Sequence, residues 1–282
     1  MLALPLRLGA HWPAIQKPLI SSTRWFVFPY PRNVSLNGNS PRDHFDRNVS
    51  RTPANSTSLT GKTNDFVSVS LPKDSPLFGL EDLLVSFILG KKRATEVSHL
   101  VWKSVVRKGD TVIDATCGNG HDTLAMLKMV ADESCKGSVY GLDVQEAALQ
   151  KTSSLLEESV SPSEKEPIKL FSKCHSKMDE VLPKDTSVRL VAFNLGYLPG
   201  GDKTIITQSE TTLKALEVAK SIMVPGGLIS LVVYVGHPGG WEELKTIRDF
   251  ISKLSVEKWI CYEFQTVDRS WSPILIFLFK NC

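Results

Sequence analysis

The first 42 residues contain no acidic side chain, although Arg7, Lys17, Arg24, Arg32 and Arg42 all fall within them. One-sided charge combined with Ser, Pro and short apolar pieces such as "RWFVF" is the composition of an organellar transit peptide. The competing reading is an ordinary disordered tail. A secretory signal needs a longer unbroken apolar segment and a membrane span about 20 apolar residues, and the chain has neither. The absence of an Arg-rich amphipathic helix favours a chloroplast over a mitochondrial destination. Acids stay scarce to residue 70: eight Lys and Arg face three acids, a balance of +5, which leaves −2 for the rest of a chain whose total is +3. A basic field over the whole folded part is thereby excluded, so any RNA contact must come from local patches such as Lys91-Lys92-Arg93, Arg107-Lys108 or Lys203.

The five cysteines (117, 135, 174, 261 and 282) are odd in number and have no C-x-x-C spacing. This excludes a disulfide framework or a cysteine zinc site and fits a reducing compartment. Cys117 lies in a glycine loop without a nearby His and reads as a small loop residue. Residues 35–65 have too few apolar groups to pack. The expected organisation is a transit peptide and disordered linker over 1–70 and one folded domain over 71–282.

That domain begins with a helical extension over about 76–108. Leu80, Leu83, Leu84, Phe87 and Ile88 share one helical face, and Val97, Leu100, Val101, Ser104 and Val105 a second. Strand and helix patterns then alternate strictly, from the strand "DTVIDAT" through "GSVYGLDV", "IKLFSK", "VRLVAFNL" and "GLISLVVYV", each followed by a helix. Parallel neighbours need crossover connections, so this alternation predicts an α/β fold with a parallel sheet covered on both faces. "VEKWICYEFQ" and "PILIFLFK" stand too close for a crossover helix and must form an antiparallel hairpin. Seven strands, mostly parallel and closed by such a hairpin, are the layout of Rossmann-like class I S-adenosylmethionine-dependent methyltransferases.

The loop "VIDATCGNGHDT" follows the first strand and opens a helix, where a doubly wound sheet binds its nucleotide. Gly118 and Gly120 allow a sharp turn and close approach to a ligand, with Asn119 between them. The dinucleotide pattern G-x-G-x-x-G requires Gly at 123, where this chain has Thr123. Asp114 at the strand end would repel a pyrophosphate but can attract an amino acid ammonium or orient the loop. S-adenosylmethionine is therefore expected in preference to a dinucleotide. Asp143, at the tip of strand two, can accept from both ribose hydroxyls or simply cap a helix. Gln145 beside it can meet the adenine or ribose edge, and His175 and Ser176 lie where the adenine amine would be read, with Ser176 alternatively a helix cap. Asp122 and Thr123, at the first turn of the helix after the loop, are candidate cofactor contacts, although Asp122 is favourable at a helix start by the dipole alone. His121 has Ala125 at i+4, which removes the zinc reading and leaves a contact to cofactor carboxylate or substrate. No metal site is expected.

Strand four runs into "FNLGYLPGGDK", where the methyl acceptor must lie. Asn194 and Tyr197 have the spacing of the N/D-P-P-Y/F signature of methyltransferases that act on exocyclic amines, with Leu195-Gly196 in place of Pro-Pro. An amide oxygen and the Leu195 carbonyl would accept the amine hydrogens, and the ring would stack on the attached base. Gly200 and Gly201 allow an unusual turn that carries Asp202 and Lys203, candidates for an amine and a phosphate; the bland reading is a turn with a capping Asp. "YVGHPGGW" ends strand five and adds Tyr234 and His237, the latter a candidate proton acceptor or a solvated loop residue.

"DATCGNGHDT", "VYGLDVQ", "FNLGYLPGGDK", "ETT" and "GHPGG", in this order, resemble the YtqB-like family over residues 77 to 280. Family members commonly have Ala at the position of Cys117. The resemblance implies transfer of a methyl group from S-adenosylmethionine to the primary amine of 5-aminomethyl-2-thiouridine at the tRNA wobble position. It implies an anticodon stem-loop as partner. For the residues themselves, Asn194, the Leu195 carbonyl and Tyr197 are expected to orient the amine, and Asp202 or His237 to assist its deprotonation. A homodimer is compatible with the sequence. The rival readings are an rRNA N-methyltransferase, a small-molecule amine N-methyltransferase, whose methyl incorporation would survive RNA digestion before assay, and a non-catalytic S-adenosylmethionine-binding factor, which would bind without turnover.

Overall fold

The computed structural model describes residues 68–131, 137–267 and 271–282; the expected leader and linker to residue 67, and Cys135, lie outside the described residues. Two helices, α1 (Glu81–Ile88) and α2 (Ala94–Val105), precede β1 (Thr111–Asp114). Then follow α3 (His121–Val130), β2 (Ser138–Asp143), α4 (Glu146–Ser159), the short α5 (Pro162–Lys165) and β3 (Ile168–Ser172). A 3-10 segment over His175–Val181 leads to β4 (Val188–Leu195), α6 (Ser209–Ile222), β5 (Met223–Val233), α7 (Gly240–Ser252), β6 (Trp259–Phe264) and β7 (Ile274–Lys280).

The sheet order is β3-β2-β1-β4-β5-β7-β6. The strands β1 to β5 pair in parallel, and β7 lies antiparallel between β5 and β6. The expected hairpin thus inserts its second strand beside β5. Strand order reverses between β1 and β4, and a crevice opens there outside the carboxyl ends of the strands.

Successive residues of a strand face opposite sides of the sheet, and the central strands are apolar on both. Ile113, Val191, Phe193, Leu231 and Ile276 pack with α6 and α7 residues such as Leu216 and Ile247. Val112, Leu190, Ala192, Val232 and Phe277 pack on the other side with α1, α2 and α3 residues such as Phe87, Trp102 and Leu127. The helical extension therefore supplies part of the core on one face of the sheet rather than being an attachment to it.

In α1, Leu84, Phe87 and Ile88 are buried as their spacing predicts. The face of α2 is rotated from expectation: Ala94, Val97, Ser98, Val101 and Trp102 are buried, whereas Leu100 and Ser104 are exposed. Trp102 offers the most apolar area in that helix, and turning it inward sets the rotation. The same rotation brings His99 to the crevice. "SKMDEVL" is a 3-10 segment broken by Lys177 at φ −119°, not a regular α-helix.

Candidate active site

A cleft of about 760 Å³ crosses the carboxyl ends of β1, β2 and β4. On its β1–β2 side the chain turns through left-handed φ at Gly118 (54°) and Gly120 (84°). A Cβ on Gly120 would stand 2.8 Å from the Thr152 Cα, so glycine lets α3 start against α4. Asp143 fastens the loop: its Oδ2 accepts from the Gly118 N–H at 3.0 Å and its Oδ1 from the Gln145 N–H at 2.9 Å. A carboxylate offers about four acceptor positions. Asp143 therefore keeps capacity for hydroxyl groups in the cleft.

Asp114 lies behind this loop, 1% exposed. It accepts from the Thr123 hydroxyl at 2.6 Å and the Thr116 N–H at 3.2 Å. Burial first, and then the neighbouring Asp122 charge, push its carboxyl up to about 7, with Asp143 adding to the same effect. Three carboxylates thus converge at one end of the cleft. A cation relieves their repulsion and a pyrophosphate aggravates it. Burial also pushes the Cys117 thiol well above its ordinary value. A Cβ on Gly141 would come within 2.6 Å of its sulfur, so Cys117 is a tightly packed small residue. His175, 6% exposed, is pushed down to about 4 by burial and stays neutral, with Nε2 3.3 Å from the Thr211 hydroxyl.

On the β4 side the Asn194 N–H donates to the Thr116 hydroxyl at 2.7 Å, and its Nδ2 donates to Asp122 Oδ2 at 3.4 Å. His99 Nε2 stands 2.6 Å from the other oxygen of Asp122. The next residues are clasped from the opposite side. Gly196 N–H donates to the Thr207 hydroxyl at 2.9 Å, and Thr207 N–H returns a bond to the Gly196 carbonyl at 2.8 Å. Thr207 in turn donates to Glu243 Oε2 at 2.9 Å, while Thr212 donates to Oε1 at 2.6 Å. Glu243 is 1% exposed, and burial pushes its carboxyl up against the opposing effect of these two hydroxyls.

The Tyr197 ring is 42% exposed, with Lys203 Nζ 5.8 Å from its centre and the His237 ring edge-on at 6.4 Å. His237 Nδ1 is 2.9 Å from the Pro238 carbonyl. That contact makes Nδ1 the protonated nitrogen of the neutral ring and leaves a lone pair on Nε2. Nε2 is buried with no hydrogen-bond partner among the described residues, 3.7 Å from where a Cβ on Gly196 would lie.

Of the residues read from the sequence, Gly118, Asn119, His121, Asp122, Asp143 and Gln145 line the cleft, as do His175, Asn194, Tyr197 and Tyr234. Others stand off its wall. Asp114, Gly120 and Thr123 brace the loop from behind, by the contacts above. Ser176 makes no cap bond and instead lies 3.2 Å from the Cys174 sulfur. Gly200 (φ 77°) and Gly201 form a turn folded over Leu198, whose side chain lies 2.9 Å from a Cβ on Gly201. Asp202 Oδ1 accepts from both the N–H and the hydroxyl of Thr204 at 2.8 and 2.7 Å, and these bonds hold its exposed carboxyl below the usual range. Lys203 and His237 flank Tyr197 from outside the wall. Sequence reasoning missed Thr95, Glu96 and His99 on α2, and Thr207, Gln208 and Thr211 ahead of and within α6, all on the cleft wall. Arg93, considered only as part of a basic patch, also lines it.

A doubly wound sheet closed by a reversed strand pair, with a carboxylate at the tip of β2 and an amide and phenol at the end of β4, defines a Rossmann-like methyltransferase. The chain belongs to the family described as "Putative rRNA methylase", whose model matches residues 139–280. It is 59% identical over 211 residues to an Arabidopsis thaliana protein named "tRNA (mnm(5)s(2)U34)-methyltransferase, chloroplastic", spanning 74% of this chain and 77% of that one. A crystal structure described as a putative rRNA methylase from Clostridium thermocellum superposes with a TM-score of 0.62 at 35% identity, covering 67% of this chain and 98% of that one. A Streptococcus mutans methyltransferase, described as putative and solved in complex with SAH, gives 0.58 at 30% identity with the same coverage. Among the described residues no helix is long and apolar enough to cross a membrane, and no group of three or more His, Cys, Asp or Glu could hold a metal ion.

Proposed function

We propose that this protein is the S-adenosylmethionine-dependent methyltransferase that converts the aminomethyl group of 5-aminomethyl-2-thiouridine to methylaminomethyl at the wobble position of chloroplast tRNA. The observation that carries the substrate is the 59% identity to the Arabidopsis enzyme of that name. The cleft supplies matching chemistry: an amide and an exposed ring at the end of β4, and a carboxylate cluster suited to a cationic donor. The leader fits the same destination, being basic and free of acids over 42 residues.

Gly118, Asn119, Asp143, Gln145 and His175 would hold the cofactor, with Asp143 taking the ribose hydroxyls. S-adenosylmethionine supplies an electrophilic methyl group on a sulfonium. The chain's own residues must present a neutral amine to it. A free alkylammonium titrates near 10, by analogy with lysine, and lacks the lone pair that attacks. Withdrawal into the cleft disfavours the charged form. Asn194 Oδ1 and the Leu195 carbonyl then accept the N–H groups, and Tyr197 stacks on the uracil. Because the Gly196 N–H is held by Thr207, the peptide carrying the Leu195 carbonyl has a fixed plane. His237 Nε2, without a partner among the described residues and next to Gly196, is a better proton acceptor than Asp202, whose Oδ1 is taken by Thr204 and which stands off the cleft wall. Lys203, beside the stacking ring, suits a phosphate of the anticodon stem-loop.

Nucleoside mass spectrometry of chloroplast tRNA from plants with and without the protein tests this reading. Loss of the methylaminomethyl nucleoside with accumulation of the aminomethyl form is expected. Unchanged levels would overturn it.

A further inference from the structure

His99 belongs to α2, outside the segment that matches the family model, yet it reaches the acceptor end of the cleft through one intermediary. Asp122, at the start of α3, accepts from His99 at 2.6 Å on one oxygen and from Asn194 at 3.4 Å on the other. An ionised carboxylate only accepts, so both neighbours must turn a donor toward it. For Asn194 that choice is decisive: with Nδ2 on Asp122, the amide cannot flip, and Oδ1 is left as the group facing an incoming amine. For His99 the hydrogen must sit on Nε2. The imidazole is itself held by its ring contact with Trp102, centroids 4.8 Å apart, and Trp102 is 2% exposed in the core under α2.

We propose that His99 is a positioning residue for methyl transfer, which fixes the acceptor amide of Asn194 by holding Asp122 between them. The helical extension is then part of the catalytic unit: a core side chain orients an imidazole, the imidazole orients a carboxylate, and the carboxylate orients the amide. Without the His99 bond, Asp122 is free to turn to solvent or toward His121, and the Asn194 amide gains a second orientation with its NH₂ in the cleft. That orientation presents donors to a group that needs acceptors.

This inference rests on the reading of Asn194 as the group that accepts from the amine, and a double-mutant cycle separates the two. His99→Leu, His99→Gln, Asn194→Ala and the His99→Leu/Asn194→Ala pair are measured by single-turnover transfer to tRNA bearing the aminomethyl nucleoside, with cofactor affinity by calorimetry. His99→Leu is expected to slow transfer about tenfold, the effect of one lost orienting hydrogen bond. His99→Gln, which keeps a donor for Asp122, is expected to recover most of that loss, and transfer is compared at saturating cofactor so that any change in affinity through the Asp122 charge is read separately. In the Asn194→Ala background His99→Leu is expected to cost nothing further. A merely structural His99 would lower the rate by the same factor in both backgrounds, and that result overturns the inference. A His99→Leu rate equal to native does the same while leaving Asn194 intact as the acceptor group. Full transfer by Asn194→Ala overturns the underlying reading and the inference with it.

Discussion

On the β1–β2 side of the cleft the bonds to the carboxylates of Asp114 and Asp143 come from partners between 2 and 25 residues away, two of them main-chain N–H groups meeting Asp143. Longer reaches are made by the Thr152 hydroxyl to the Gly118 carbonyl and the Asn119 amide to the Pro199 carbonyl, both at 3.3 Å. On the β4 side the partners come from 11 to 78 residues away and include side chains of two helices and a loop: Asp122 on α3, Glu243 on α7, and Thr207 in the segment before α6. The first half is a strand, a glycine turn and a helix start, which hold their shape by local geometry. The second half has Leu195-Gly196 where rigid prolines stand in related signatures, and its shape is imposed from outside. Binding a common cofactor needs only the first arrangement. Directing one amine needs the second.

The comparison breaks most readily at Thr207. Thr207→Val removes the hydroxyl that joins Gly196 to Glu243 and leaves a buried carboxylate and an N–H short of partners, each costing about 1–3 kcal/mol. Single-turnover transfer is expected to fall about 100-fold, with Thr207→Ser close to native and cofactor affinity unchanged in both. Gly120→Ala acts on the other half. A left-handed φ of 84° and a contact at 2.8 Å to the Thr152 Cα predict a loss of about 1–3 kcal/mol in stability and about tenfold in cofactor affinity, read by thermal unfolding and calorimetry.

Two smaller effects follow from titration. Asp114 has its carboxyl raised to about 7, and a cation in the cleft favours its ionised form. Cofactor affinity should therefore be full above pH 7 and weaken as pH falls through it, by about threefold between pH 8 and 6, with protons released on binding. Calorimetry in buffers of different ionisation enthalpy measures this; affinity that rises on acidification would contradict it. His175 is lowered from 6.5 to about 4, so its neutral form belongs to the folded state. Its contribution is intact above pH 6.5 and is lost as pH falls toward 4, and His175→Gln should flatten that part of the melting-temperature profile.

The same division explains what could be read from the sequence. Strand and helix alternation, the closing hairpin and the glycine loop are local patterns, and the sheet follows them. The face of α2 was misjudged because spacing alone placed Leu100 and Ser104 on it and passed over Trp102, which the core selects for its larger ring. His99 was invisible for a related reason: its meaning comes from Asp122, 23 residues on, and from a helix rotation set by Trp102. Asp202 carried a suggestive charge after two glycines, but its hydroxyl neighbour at 204 decides what the carboxylate does. Glu243 is one of two acids in the first turn of α7, which local pattern does not distinguish. Only the fold buries it against two threonines that hold the acceptor loop.

The claim that the two halves work separately is tested most directly by Asn194→Ala, assayed for cofactor affinity and single-turnover transfer to tRNA bearing the aminomethyl nucleoside. Affinity within twofold of native with transfer slowed at least about 100-fold is the predicted result. Native transfer, or a rate loss matched by an equal loss of cofactor affinity, would contradict it.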